Sequence, residues 1–144
     1  MEVWTDAILE RGGGHSSRGG FYQRSWSLDE LEEDPSINLL ETRAARESVR
    51  ALLKSGDCVR LHVDNRTAVA YIKCQGGTKS NILSQEALLL WDQAVAQDIS
   101  LLTPHWIPTG ENMAADILSW NSMDHWNFRL NRRVFGSILE HFNL

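Results

Sequence analysis

Glu41 is the residue of this chain hardest to place without a chemical reason. With Ile37 at 0° and ~100° added per residue, Ile37, Leu40, Ala44, Ala45, Ser48, Ala51 and Leu52 share one stripe of a helix. Glu41 falls at ~40°, inside that stripe, where an unpaired carboxylate costs several kcal/mol. Three further acids stand where they could join it. Asp6 interrupts the apolar run from Val3 to Ile8, although Asp is disfavoured inside strands. Asp64 closes the alternating run from Cys58 to Val63, and Asp116 sits beside Met113, Ile117 and Trp120 in a helical pattern. Each has a plain structural reading as well: Asp64 can cap the next helix, and Asp116 can be a surface acid. Converging carboxylates repel one another, so four in one place call for divalent cations.

The elements that must bring these acids together follow from pattern. Val3 to Ile8 reads as a strand covered on both faces. Residues 11 to 20, rich in Gly, Ser and Arg, read as turn-prone, with only Gly14 expected to enter a strand near His15. Phe21 to Trp26 is a second strand, pairing antiparallel with it. The acidic run Asp29, Glu30, Glu32, Glu33 and Asp34 reads as a solvated loop before a helix capped by Ser36 and ended by Gly56. Arg43, Arg46, Glu47, Arg50 and Lys54 lie opposite the apolar stripe of that helix and read as its solvated face. A strand over Cys58 to Val63, helices from Thr67 to Ile72 and Asn81 to Gln97, and a strand from Ile99 to Ile107 follow. Leu83, Ala87, Leu90, Trp91 and Ala94 mark the buried side of the longer helix. Asn112 caps a last helix through Trp120. This order predicts an α/β fold: a mixed sheet with parallel crossovers and an antiparallel hairpin at one end. If the strands of Asp6 and Asp64 are neighbours, their carboxylates meet near the sheet centre, and the helix of Glu41 packs across them.

Composition sets the outer bounds. The 144 residues suit one domain, expected over 1–120, with an amphipathic extension over 121–144. In that extension Val134, Phe135, Ile138, Leu139 and Phe142 form an apolar helical stripe, expected to dock on the domain or on an absent partner. Nineteen acids against fourteen bases give −5, which argues against a protein that coats nucleic acid. Lys73 and Lys79 are the better candidates for phosphate contact. Cys58 and Cys74 have no CxxC partner, which excludes a disulfide framework and a cysteine zinc site. No membrane span or signal-peptide layout is present, so an intracellular location, cytoplasm or nucleus, is expected.

Five segments then carry a resemblance: Trp4-Thr5-Asp6-Ala7; Ile37 through Glu41; Val63-Asp64-Asn65-Arg66-Thr67 through Ile72; Gln75 through Ser80; and His105-Trp106-Ile107-Pro108 with Asn112 through Ser119. In this order they resemble the ribonuclease H domain of reverse transcriptases, closest to those of DIRS-like, tyrosine-recombinase retrotransposons. The resemblance implies a ribonuclease-H-like fold, a mixed five-stranded sheet with helices on both faces. It implies hydrolysis of the RNA strand of an RNA–DNA hybrid with two Mg²⁺, for which Mn²⁺ can substitute. Asp6 would bridge both ions, Asp116 would complete one site, and Glu41 and Asp64 the other, with ~4 Å between the ions. Asn65 and Thr78 are candidate substrate contacts that could equally be helix caps, the cap being the slightly better reading for Asn65, and Glu41 with nearby backbone is the natural partner of a 2′-hydroxyl. Trp106 and Trp120 could stack on a base. The polymerase region of the same polyprotein is the implied partner. Cellular and retroviral members carry a histidine before the last acid; residues 108 to 112 hold none, which implies slower turnover. The alternative is a ribonuclease-H-like module without catalysis that binds nucleic acid or serves as a scaffold. A proofreading exonuclease would need Asp-x-Glu in the first strand, where Asp6 is followed by Ala7 and Ile8.

Overall fold

The computed structural model describes residues 1–33, 36–77 and 80–108. Thr78, Lys79, Asp116, Trp120, the helix expected from Asn112 and the 121–144 extension lie outside the described residues. Strands β1 (Glu2–Ala7), β2 (Arg11–Ser16) and β3 (Phe21–Ser25) form an antiparallel meander. Helices α1 (Leu28–Glu33) and α2 (Ile37–Leu52) lead to β4 (Cys58–Val63). Helices α3 (Arg66–Lys73) and α4 (Asn81–Ala96) then precede β5 (Leu101–Trp106). The sheet order is β3-β2-β1-β4-β5, with β4 parallel to both β1 and β5. This is the mixed sheet the pattern predicts, with the five strands the resemblance implies. No helix among the described residues is long and apolar enough to cross a membrane.

One core serves the sheet and three helices. Val3, Val59, Leu61 and Val63 alternate onto one sheet face and meet Ala45, Val49 and Leu53, then Ala68, Val69 and Ile72 of α3, and Leu90 and Ala94 of α4. Helices α2, α3 and α4 share this face.

Three expectations need correction, each for a physical reason. Gly12, Gly13 and Gly14 are all inside β2, not in a turn. A Cβ on Gly12 would lie 2.5 Å from the Trp26 ring, and one on Gly14 would lie 2.5 Å from Ser48 Oγ. These glycines let α2 and Trp26 lie close against the sheet, a packing role that composition alone does not separate from a turn. Asp29, Glu30, Glu32 and Glu33 of the acidic run are not in a loop either: they lie in α1. Ser27 Oγ accepts from Glu30 N at 3.2 Å, and Glu30 Oε1 accepts from Ser27 N at 2.9 Å, a reciprocal capping box.

The third correction concerns α2. Ile37 and Ala51 are exposed, whereas Leu39, Thr42 and Arg43 are buried. A single stripe assumes a single neighbour, but α2 packs on the sheet with one side and on α4 with another. Arg43 and Arg46 therefore meet protein on the second side, whereas Arg50 and Lys54 are exposed as expected. Arg43 reaches Glu86 at 3.3 Å and Glu30 at 3.2 Å, and Arg46 reaches Glu86 at 2.5 Å.

On the opposite sheet face, Trp4 stacks between two histidines, with ring centroids 4.8 Å from His15 and 5.3 Å from His62. Burial, reinforced by the nearby His62, pushes His15 from its ordinary 6.5 down to about 4. The folded chain thus refuses a proton that the unfolded chain accepts. Stability from His15 is complete above about pH 6.5 and is lost as pH falls towards 4, by on the order of 2–3 kcal/mol. Thermal melts at pH 7 and pH 4.5 check this: the wild-type loss should exceed that of His15→Phe.

Candidate metal centre

The β1–β4 register pairs Thr5 with Val63, so the next residues, Asp6 and Asp64, stand level at the ends of two parallel central strands. Helix α2 crosses β1 and β2, its approach permitted by the missing side chains of Gly12 and Gly14, which face Ala44 and Ser48. That crossing carries Glu41, in the second turn of α2, over the strand ends. One carboxylate oxygen each from Asp6, Glu41 and Asp64 lies within 4.8 Å of the other two. Asp6 and Glu41 are both 4% exposed, and Asp64 is half-buried. Three of the four acids singled out in the sequence are therefore brought together; the fourth, Asp116, lies outside the described residues.

The surroundings of Asp64 remove one of its two readings. The cap of α3 is Asn65, whose Oδ1 accepts from Ala68 N at 2.8 Å, so Asp64 does not fill that role. Its backbone oxygen accepts from Trp106 Nε1 at 3.2 Å, and the Arg66 guanidinium lies 4.0 Å from the centre of the Trp106 ring. Asn65 also donates through Nδ2 to Asn38 Oδ1 at 2.9 Å. Asn38 was not singled out from sequence, although it precedes Glu41 by three residues and so lies on the same side of α2. Glu86, also missed, is 4% exposed and stands in the Leu83, Ala87, Leu90, Ala94 stripe, the same signal that marked Glu41.

The donor set suits a hard divalent cation. Carboxylate oxygens favour Mg²⁺ or Mn²⁺, and neither Cys nor His joins the cluster among the described residues. Two of the three groups are buried, so their mutual repulsion is poorly screened without a cation. Glu41→Gln should accordingly raise the metal-free melting temperature, by on the order of 1 kcal/mol or about 3 °C. Calorimetry in the presence of a chelator measures it, and a clearly less stable mutant would instead make Glu41 a structural ion-pair partner.

Comparison with known proteins places this geometry in a fold. No family profile matches the sequence, and no curated protein is significantly similar to it. Among solved structures, the chain is similar to the N-terminal ribonuclease H domain of Rv2228c from Mycobacterium tuberculosis, solved as a fusion with maltose-binding protein. The TM-score is 0.61 at 13% identity, covering 86% of this chain and 94% of that one. It is also similar to ribonuclease H1 of the halophilic archaeon Halobacterium salinarum, with TM-score 0.56 and 16% identity over 81% of this chain and 92% of that one. The chain has the ribonuclease-H-like fold.

Proposed function

We propose that this chain hydrolyses the RNA strand of RNA–DNA hybrids, as the ribonuclease H domain of a retrotransposon reverse transcriptase. The observation that carries the reading is the meeting of Asp6, Glu41 and Asp64 at the centre of a ribonuclease-H-like sheet. Asp116, on the helix expected after β5, is the fourth acid of the proposed site. Asp6 would be the ligand common to both ions, Glu41 and Asp64 would help to hold one of them, and Asp116 the other. What two bound Mg²⁺ or Mn²⁺ supply is activation of the attacking water and stabilisation of the leaving 3′-oxygen.

The protein's own part is to hold these carboxylates fixed. Burial of Asp6 and Glu41 excludes bulk water, and their elements belong to the rigid core rather than to loops. Glu41 is the group nearest to hand for a 2′-hydroxyl, the feature that separates RNA from DNA. Asn65 keeps a second Nδ2 hydrogen beyond its bond to Asn38 and, with Thr78, is a proposed substrate contact. The 121–144 stripe is proposed to pack on the domain or on the polymerase region of the same polyprotein, inside the cell.

A substrate panel tests the reading. Hybrid, double-stranded RNA, single-stranded RNA and double-stranded DNA are each incubated with the chain and Mg²⁺. Cleavage confined to the RNA strand of the hybrid is the expected result. Binding of the hybrid without cleavage would favour a scaffold, and degradation of single-stranded RNA would point to another nuclease class.

A further inference from the structure

Glu41 and Asp64 sit on separate elements, α2 and the turn between β4 and α3, and without cations their charges push those elements apart. A direct tie crosses between the two elements. Asn38, one turn before Glu41, accepts through Oδ1 at 2.9 Å from Nδ2 of Asn65, the residue that follows Asp64. The amide of Asn65 has only one workable orientation: Oδ1 must take the Ala68 N–H at 2.8 Å, which leaves Nδ2 facing Asn38. From its other flank, the same turn is held to β5 by Trp106 Nε1 on the Asp64 oxygen at 3.2 Å and by Ile107 N on the Val63 oxygen at 3.1 Å. An ion pair could tie α2 to this turn too, but it would set two further full charges beside the metal ligands. Two neutral amides do not.

We propose that the Asn38–Asn65 amide pair is the spacer that sets the Glu41–Asp64 separation, which makes both asparagines positioning residues for the metal site. The inference rests on the reading given under Proposed function. Outer-shell partners of metal ligands commonly influence metal affinity by 10–100-fold, roughly the scale expected here.

Asn65→Ser keeps a good helix cap and removes the bridge, whereas Asn38→Ala removes it from the other side. The 144-residue chain, both single variants and the double variant are titrated with Mn²⁺, following first the rise in melting temperature and then hybrid cleavage. Each single variant should need about tenfold more Mn²⁺ for the half-maximal effect in both readouts, with a smaller change in kcat at saturating metal. The double variant should match the singles, because all three remove one interaction. Unchanged Mn²⁺ midpoints in either folded single variant, additive shifts in the double, or no Mn²⁺ effect on wild-type melting would overturn the spacer. Wild type that is stabilised by Mn²⁺ yet cleaves no hybrid would overturn the ribonuclease reading alone, and the melting midpoints would still decide the spacer.

Discussion

Asp64→Asn should reduce Mg²⁺-dependent cleavage of hybrid RNA by about a thousandfold or more, equivalent to ~4 kcal/mol of transition-state stabilisation. The substitution keeps the volume and removes one of three charges lying within 4.8 Å of one another. It should leave the fold intact, since the α3 cap belongs to Asn65 and the bond from Trp106 goes to the backbone of Asp64. Among the described residues no hydrogen bond to the Asp64 carboxylate needs replacing. Melting temperature should therefore hold or rise slightly while the rate collapses. A mutant cleaving at the wild-type rate would remove Asp64 from the chemistry.

The largest stability effect should come from a residue outside the site. Glu86 is 4% exposed and is shared by Arg43, itself 9% exposed, and Arg46. Burial pushes the Arg43 pKa down, but Glu86 and Glu30 more than offset this and hold the guanidinium charged. Removing the shared carboxylate strands two cations at the α2–α4 contact, and Arg43 keeps only Glu30, at 3.2 Å. Glu86→Ala should cost about 3 kcal/mol, lowering Tm by about 10 °C. Thermal denaturation followed by circular dichroism measures it. A drop under about 2 °C would mean that α2 and α4 are held by their apolar contacts alone.

Much of this architecture was readable from local pattern. Alternation in Val59, Leu61 and Val63 and the stripe in α4 located their elements because each faces one dominant neighbour. Glu41 was readable for the same reason: a charge on the sheet-facing side of a helix stands out against the apolar residues around it. The misses arose where a second neighbour or a distant partner decides the outcome. Arg43 looks solvated on a helical wheel, yet Glu86 lies 43 residues further along the chain. Three consecutive glycines look like a turn until Trp26 and Ser48 are seen resting on them. The Ser27–Glu30 box was visible in the sequence as Ser-x-x-Glu, but the density of acids around it suggested solvent instead of a helix.

The central claim is that these carboxylates hydrolyse RNA in a hybrid with the help of divalent cations. The most direct measurement incubates the 144-residue chain with a hybrid labelled separately in each strand, in Mg²⁺ and then in excess chelator. The account predicts RNA fragments ending in 3′-hydroxyls, an intact DNA strand, and no products once the metal is withdrawn. Equal cleavage in chelator, or no RNA cleavage in either Mg²⁺ or Mn²⁺, would contradict it.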